Sequence, residues 1–579
     1  MLSDSQRLTT GLCMAVAGLL IWACAGWGPR PVPQFSVAPT RVRFEGAAAL
    51  EYTRVVAEEF PDRVTGTPAA RRAAEYLRAE FRKLDYQVTS STFSMWLGGE
   101  RVQGENVVAC LEGEWPESVA VIAHYDGQFT SHQAAEDNAS GVGVLLELAR
   151  VRRQSPHRRG LIFAATDAEE WGMIGARELA RFLKPRHTVA VVSIDYLTAG
   201  PARALEMNCT GQFAGYTPLW LRQLLVASGR AQSARLDQAT GVWEWIERAL
   251  EVSAQDQGPL LGAGIPAINL ATQSPQIEAL RARYHTPGDT FRNFDPAAFQ
   301  MLGGTVEQAV DVLDRLPLPA PGTANDFQVS PDLYLPGAIV RWMQFLGLLP
   351  LVLAAVFAAR DFATERIELR GWRFFEPASW VIPPCLTTLL LYALTDLDVL
   401  PRYELYPATP KDPFLYHLPL PLIAALVAVT AAGFMGLQKL LSRVDAPPTP
   451  FEVKKRILFL WVVSVTLVAF LDNPYAMWLF LGGFAYATLI LVPPRSTLAR
   501  TVNAAFLIAS TVPFAALLYS FGREIYLGWR IVWYLVLQAA YGVWSPVAVA
   551  LFLMVVVLVA RLFWVSVLQR DGEAEPPSA

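Results

Sequence analysis

Hydrophobic and polar positions divide the 579-residue chain into three parts. An apolar run at residues 9–27 has about the length that crosses a bilayer. Residues 40–315 instead alternate short apolar stretches with polar ones, as a globular domain does. Long apolar runs return after about residue 335 and continue almost to the end. The pattern therefore predicts a globular domain between an N-terminal membrane segment and a larger membrane domain.

The globular part alternates strand-like with helix-like segments. A 3.6-residue period or a helix-length segment predicts helices at 69–84, 140–153 and 173–183. Short apolar runs predict strands at 119–123, 161–166, 189–195 and 266–270. Strands that alternate with helices favour an α/β fold, so we expect a mixed, centrally parallel sheet flanked by helices.

The chain beyond the globular part predicts a linker and then a helical membrane domain. Residues 316–336 are rich in proline and lack periodicity, which is typical of a linker. Apolar runs within 337–568 predict about seven transmembrane helices, and residues 569–579 form a polar tail. The segment 525–542 is either an interfacial or re-entrant helix, which gives eight spans for the whole chain, or a ninth span. The runs lie at 338–359, 374–397, 416–438, 457–471, 476–493, 502–521 and 543–566.

Basic residues concentrate in alternate connections of the predicted membrane domain. They cluster at 360–373, 439–456 and 495–500, whereas the intervening connections carry few. Because basic loops stay on the cytoplasmic side, the globular domain is predicted on the opposite side. We therefore expect a bacterial inner-membrane protein with a periplasmic domain. Residues 1–30 are predicted to be an uncleaved anchor, although a cleaved signal peptide also fits them.

Composition limits the classes of partner and of site. The formal net charge is −4, so no basic field predicts nucleic-acid binding. The five cysteines have no paired short spacing, which argues against a thiolate zinc site and a disulfide framework. Cys110 and Cys209 lie in the globular part, and the sequence leaves open one disulfide or two separate thiols.

Two predicted metal-ligand residues lie in the first half of the globular part. His124 follows the apolar strand VAVIA, and Asp126 lies two residues further on. Because alternate side chains of an extended segment point to one side, Asp126 is placed to brace the imidazole. Asp137 precedes a predicted helix, where a carboxylate alone is most simply a helix cap. A carboxylate there can also bridge two cations, because its oxygens offer lone pairs in different directions.

The remaining candidates follow later predicted strands. Glu169 and Glu170 come after LIFAAT, Asp195 ends VAVVSID, and His285 begins HTPGDT. Taken singly, these residues fit a solvated acidic turn, a strand end and a surface turn. Taken together, they supply the histidine nitrogens and carboxylate oxygens that zinc accepts when thiolates are absent. Their conjunction therefore favours a metal site.

With these clusters in order, the sequence resembles the zinc aminopeptidase family that includes bacterial leucyl and aminopeptidase S-type enzymes, metallopeptidase family 28. The resemblance covers about residues 48–312 and includes RVTGTP at 63–68 and QDQGP at 255–259. The membrane-tethered layout is similar to that of the vacuolar and endoplasmic-reticulum membrane metallopeptidases. One departure is Gln257, where many relatives carry histidine, which affects expectations for the substrate pocket.

The resemblance implies a role for each residue and two Zn²⁺ ions as cofactors. His124 and Asp195 would hold one ion, and Glu170 and His285 the other, with Asp137 bridging them. Glu169 would be the general base and Asp126 would brace the first site. A water shared by two zinc ions has a lowered pKa, and the ions polarise the scissile carbonyl.

The predicted function is a membrane-anchored dizinc aminopeptidase that acts on peptides with a free N-terminus, with the lipid bilayer as its other partner. Two alternatives stay open. One is a related single-zinc cyclase or carboxypeptidase, and the other is a non-catalytic peptidase-like ectodomain on a membrane scaffold. The complete ligand set together with Glu169 favours the peptidase. Trp243 and Trp245 are candidates for lining the substrate pocket.

Overall fold

A computed structural model describes residues 18, 28–39, 41–97, 100–273, 283–292, 294–317, 322–364, 378–397, 399, 420–441, 451–524, 530–540, 544 and 546–569. The chain divides into two compact units, and the first contains Pro29–Gly337. The second contains Met1–Gly28, Ala338–Pro401 and Pro413–Ala579. The predicted anchor at residues 1–30 and tail at 569–579 lie almost entirely outside the described residues.

The first unit is built on an eight-stranded mixed sheet, with strand order β2-β3-β5-β4-β6-β9-β7-β8. Strands β5, β4, β6 and β9 are mutually parallel, and antiparallel pairs flank them on both sides. This arrangement confirms the predicted mixed, centrally parallel sheet. The strands are β2 Gln87–Leu97, β3 Glu100–Leu111, β4 Trp115–His124, β5 Arg159–Thr166, β6 Thr188–Ile194, β7 Ala204–Asn208, β8 Leu236–Asp237 and β9 Ala267–Gln273.

Helices cover both faces of this sheet. The three helices predicted from the sequence are present with bounds shifted by at most one residue. Thr67 caps α2 by accepting a hydrogen bond from the Ala70 backbone N–H, and Pro68 occupies the first helical position. The helices are α1 Gly46–Glu59, α2 Pro68–Lys83, α3 Ser140–Arg153, α4 Ile174–Leu183, α5 Leu219–Ala231, α6 Val242–Leu250, α7 Gln257–Gly262 and α8 Pro296–Arg315.

Alternate residues of the central strands enter two different cores. Along β4, Val119, Val121 and Ala123 join the larger core, whereas Ala120 and Ile122 join the smaller one on the other face. A sheet buried on both faces needs apolar residues at every position. This explains why the central strands read as uninterrupted apolar runs in the sequence.

Cys110 and Cys209 are both free thiols. Cys209 is buried in the larger core, while Cys110 packs against the smaller one. The two cores occupy opposite faces of the sheet, so the sheet separates the two sulfur atoms. The disulfide that the sequence left open is therefore absent from this structure.

A small second sheet lies within the segment predicted to be a linker. It contains β1 Arg30–Pro31, β10 Phe327–Ser330 and β11 Leu333–Leu335, in the order β1-β11-β10. Both strand pairs are antiparallel. Part of the proline-rich 316–336 segment is thus regular structure within the first unit.

The described residues of the second unit are helical. Two of its helices, Gly337–Asp361 and Val547–Leu568, are long and apolar enough to cross a membrane, judged by length and composition. Shorter apolar helices occur at Cys385–Leu394, Ala424–Leu437, Pro474–Ile490 and Thr497–Val512. The helices are α9 Gly337–Thr364, α10 Ala378–Asp396, α11 Leu420–Leu441, α12 Phe451–Asp472, α13 Pro474–Met477, α14 Gly483–Ile490, α15 Thr497–Glu524, α16 Ile531–Ala540 and α17 Pro546–Phe563.

Candidate metal centre

The candidate site lies where three parallel strands end. His124 is the last residue of β4, Glu169 and Glu170 follow β5, and Asp195 follows β6. The carboxyl ends of parallel strands meet at one edge of a sheet, which is where α/β proteins place their sites. All seven side chains predicted from the sequence come together here and are buried.

Asp137 lies between the two histidines. Its Oδ1 is 3.1 Å from His124 Nε2, and its Oδ2 is 2.9 Å from His285 Nε2. Asp195 Oδ1 lies 3.3 Å from His124 Nε2, and Glu170 Oε2 lies 3.2 Å from His285 Nε2. Each carboxylate oxygen of Asp137 thus faces a different histidine, with one further carboxylate beside each.

The side chains form two groups with the spacing of metal ligands. One group is His124, Asp137 and Asp195, and the other is Asp137, Glu170 and His285. In each group the ligand atoms lie within 4.8 Å of one another. So many buried carboxylates are costly unless cations or hydrogen bonds satisfy them. The donor set of imidazole nitrogen and carboxylate oxygen therefore fits zinc.

Glu169 borders the first group without belonging to it. Its Oε2 lies 4.0 Å from His124 Nε2. Burial raises the pKa of Glu169 well above its usual value; the His124 charge opposes the shift, and the Asp195 and Glu170 carboxylates add to it. A buried carboxylate with a raised pKa is a stronger base, so it is suited to accept a proton and return it.

Asp126 contacts His124, as the sequence predicted, and also the turn that carries Glu169 and Glu170. Its Oδ1 is 3.5 Å from His124 Nδ1 and accepts a hydrogen bond from the Glu169 backbone N–H at 3.2 Å. Its Oδ2 accepts from the Glu170 N–H at 3.3 Å. One carboxylate therefore orients the imidazole ring and the turn that carries both glutamates.

Asp289 is a supporting residue that the sequence analysis did not identify. It lies in the HTPGDT segment with His285, and its carboxylate accepts hydrogen bonds from three consecutive N–H groups. These belong to Ala135, Glu136 and Asp137, at 3.0, 2.6 and 3.2 Å. Burial raises the pKa of Asp289 to about 7, and these backbone donors oppose that shift. The contacts fix Asp137 relative to the loop that carries His285.

Arg63, the first residue of the RVTGTP segment, joins two loops that border the site. The buried Arg63 guanidinium donates to the carbonyl oxygens of Tyr125, Gln133 and Ala134 at 2.8, 2.8 and 3.0 Å. It thereby joins the loop after β4 to the loop before Asp137. Because these contacts require the planar, multiply donating guanidinium, lysine would not replace it.

Thr65 connects the same segment to the turn after β5. Its hydroxyl donates to Asp167 Oδ1 at 2.8 Å, and the Glu105 N–H donates to Asp167 Oδ2 at 2.9 Å. Burial raises the pKa of Asp167 to about 7, and the neighbouring Asp126 adds to the shift. Asp167 is the second supporting acid that the sequence did not reveal, and it lies just before the two glutamates.

The residues of the QDQGP segment have defined partners. Thr166 is the last residue of β5, and its hydroxyl donates to the buried Asp256 carboxylate. Gln257 Nε2 donates to Ser253 Oγ at 3.0 Å and to the Thr210 carbonyl at 3.3 Å. Gln257, the departure noted in the sequence, therefore holds its own loop together.

Two aromatic rings stand beside the second ligand group. Phe129 and Trp171 stack with ring centroids 6.2 Å apart, and Phe129 is 63% exposed. Trp171 follows Glu170 directly, and Thr130 beside Phe129 donates to the His285 carbonyl at 2.7 Å. The pair thus forms an apolar rim at this side of the site.

Trp243 and Trp245, which the sequence suggested for a pocket, lie on α6. That helix contacts β10 of the small sheet, and the Trp245 ring packs 5.7 Å from Phe327. Trp243 is 60% exposed. The pocket role of these two residues stays a prediction. Beside the ligands, the Tyr284 ring stacks on His285 with ring centroids 3.6 Å apart.

Residues 106–310 match the model of peptidase family M28, and the match includes all seven site residues. This part of the chain is therefore similar to peptidase family M28. The M28 match thus covers β3 to α8, which contains the central strands and the loops that carry the site. The family match confirms the resemblance drawn from the motifs.

Curated relatives of the M28 region include two bacterial proteins. The chain is 33% identical over 181 residues to the alkaline phosphatase isozyme conversion protein of Escherichia coli, covering 27% of this chain and 52% of that protein. It is 29% identical over 206 residues to aminopeptidase YwaD of Bacillus subtilis, covering 34% and 41% respectively. The chain therefore spans about half the length, or less, of these relatives.

Solved structures similar to the M28 region include zinc aminopeptidases and glutaminyl cyclases. BSAP, a zinc aminopeptidase from Bacillus subtilis, is 17% identical with a TM-score of 0.40. The alignment covers 47% of this chain and 96% of that one.

Proposed function

We propose that this protein is a membrane-anchored dizinc aminopeptidase that removes N-terminal residues from peptides. The observation that carries the proposal is the position of Asp137. Its two oxygens each lie within about hydrogen-bonding distance of a different histidine. Such a shared carboxylate is the arrangement by which two ions are held close enough to act on one water.

Each ligand group has a proposed ion. His124 and Asp195 would hold one zinc ion, Glu170 and His285 would hold the other, and Asp137 would serve both because it belongs to both ligand groups. When bound, the two ions lower the pKa of a water molecule and polarise the carbonyl of the scissile peptide bond.

Glu169 is the proposed general base. Its carboxylate takes the proton of the attacking water and then delivers that proton to the nitrogen of the leaving amine. The buried position of Glu169 at the border of the first group supports this role. Asp126 keeps Glu169 in place through the 3.2 Å bond to its backbone N–H, so it acts as a positioning residue.

The proposed location follows from the apolar helices and the basic connections. Residues 337–568 are proposed to form a multi-span domain of about seven helices, with residues 1–30 as a further anchor. Two helices that are long and apolar enough to cross a membrane support this proposal. Basic residues at 360–373, 439–456 and 495–500 favour a cytoplasmic position for those connections. The peptidase unit then lies in the periplasm.

The full chain in detergent tests the proposed activity. We expect it to hydrolyse leucyl-arylamide and to leave the N-acetylated arylamide intact, because an exopeptidase of this class needs the free α-amine. Stripping metal with a chelator should abolish hydrolysis, and added zinc should restore it. Equal hydrolysis of the acetylated substrate would overturn the aminopeptidase assignment.

The same preparation distinguishes the aminopeptidase from a cyclase and from a non-catalytic ectodomain. A single-zinc cyclase would convert an N-terminal glutamine peptide to its cyclised form and would leave leucyl-arylamide unchanged. A non-catalytic ectodomain would do neither, even with zinc bound. The presence of Glu169 beside a complete ligand set supports the peptidase over both alternatives.

A further inference from the structure

The first unit begins at Pro29 and its main segment ends at Gly337, and both residues lie near one end of the small sheet. Arg30, three residues after the apolar run 9–27, pairs with Tyr334, three residues before α9 begins at Gly337. The two strands are antiparallel, so the start of β1 and the end of β11 point the same way. Pro29 adjoins Arg30, and Gly337 lies three residues from Tyr334, a reach of at most about 10 Å.

The paired residues Arg30 and Tyr334 are connected to α6 through the neighbouring strand β10. Gln328 of β10 pairs with Tyr334, and its carbonyl accepts a hydrogen bond from the Gly241 N–H at 2.8 Å. The Gln328 N–H donates in turn to the buried Glu244 carboxylate at 3.1 Å. These two hydrogen bonds hold the first turn of α6 against β10. They do so at Gln328, which pairs with Tyr334 three residues before α9 begins.

That first turn exposes two large apolar side chains. Val242 is 73% exposed and Trp243 is 60% exposed. We call these two residues the α6 tip. Glu244, on the opposite side of the turn, is held by Arg222 at 2.9 Å and by Arg248 at 2.7 Å. These ion pairs hold the Glu244 side of α6 against the interior of the unit. The α6 tip therefore faces solvent on a well-anchored helix.

The composition of this end of the unit matches the surface of a bilayer. Tryptophan and tyrosine are enriched at the level of lipid headgroups, where an apolar ring with a polar group is best accommodated. Arg30 is exposed next to this row and can pair with lipid phosphate. Removing the exposed apolar area of Val242 and Trp243 from water into lipid is favourable.

We propose that the α6 tip docks on the lipid surface and fixes the peptidase unit against the membrane. Val242 and Trp243 enter the headgroup layer at the end of the unit where the chain passes through Pro29 and Gly337. The proposal rests on the membrane anchoring proposed above, because it places the bilayer at this end of the small sheet.

Photolabelling of the full chain tests the docking. The chain is reconstituted into phosphatidylcholine–phosphatidylglycerol vesicles that contain a phospholipid with a photoactivatable acyl chain. After tryptic digestion, lipid adducts are expected on peptide 342–360, from α9, and on peptide 236–248, which carries the α6 tip. Phe129 is the internal control, because its exposure of 63% matches that of Trp243. Labelling at the α6 tip should exceed that at Phe129 by about tenfold, because interfacial side chains alone reach the acyl boundary.

A double variant, Val242→Ser with Trp243→Ser, gives the matched comparison. Both side chains are exposed, so the fold should be retained. Adducts on 236–248 should disappear while those on 342–360 remain. Labelling of 342–360 without 236–248 in the unmodified chain would overturn the docking and leave the anchoring intact. Absence of adducts on both peptides would overturn the docking together with the anchoring, and equal labelling at Phe129 would also overturn the docking.

Discussion

Replacing Glu169 with glutamine is expected to lower kcat by about 10²–10⁴-fold, the range for loss of a general base. The amide is nearly the same size as the carboxylate, and the backbone N–H of residue 169 keeps its bond to Asp126. The amide cannot accept the proton of the attacking water, so the chemical step loses its base. The two ligand groups do not include Glu169, so zinc content should be unchanged.

Leucyl-arylamide hydrolysis and zinc content, measured on the same preparations, check this prediction. Glu178→Gln is the control, because it also neutralises a glutamate but lies on α4, where it pairs with Arg181. It should retain the activity of the unmodified chain. If Glu169→Gln kept most of its kcat with zinc bound, Glu169 would not be the base.

Replacing Asp137 with alanine is expected to have the second large effect, a loss of bound zinc and of kcat/KM together. Asp137 is the one side chain that belongs to both ligand groups, so each group would fall from three ligands to two. Because the residues of such a centre act as a unit, we expect kcat/KM to fall by about 10³-fold or more. Zinc content should fall from two ions per chain to less than one.

Metal analysis after dialysis, with the arylamide assay, measures both losses. Glu136→Gln provides a strict comparison, since Glu136 is the adjacent buried acid and pairs with Arg283 at 2.8 Å rather than with a histidine. That variant should keep its zinc. An Asp137→Ala protein that retained two zinc ions would contradict the bridging role.

The core of the site could be predicted because it follows the strands. His124 and Asp195 end apolar runs, and such runs become parallel strands whose carboxyl ends share one edge. Proximity of these two side chains therefore follows from the fold class alone. Asp137 and His285 come from loops, and their place in the site rested on resemblance to a family rather than on periodicity.

The supporting residues could not be predicted in the same way. Asp289 acts through backbone N–H groups more than 150 residues away in sequence, at Ala135, Glu136 and Asp137. Any loop residue can offer a backbone N–H, so the sequence around Ala135 carries no mark of this contact. Arg63 likewise binds five carbonyl oxygens, and its motif was noted without a physical role.

Parts of the fold were missed for a related reason. Strands β2 and β3 pair along their whole length, yet β2 reads QVTSSTFSMWL, in which Ser and Thr interrupt the apolar positions. In the small sheet, β10 and β11 are only four and three residues long. The pairing of β11 with β1 joins residues about 300 positions apart in the chain, which no local pattern reports.

The most direct test of the central claim is a zinc titration of the metal-free full chain, with leucyl-arylamide hydrolysis as the readout. Two ions that share Asp137 predict hydrolysis that begins near zero and reaches its plateau at two zinc equivalents per chain. The N-acetylated arylamide should remain intact throughout. Full hydrolysis by the metal-free chain, or a plateau at one equivalent, would contradict the dizinc account.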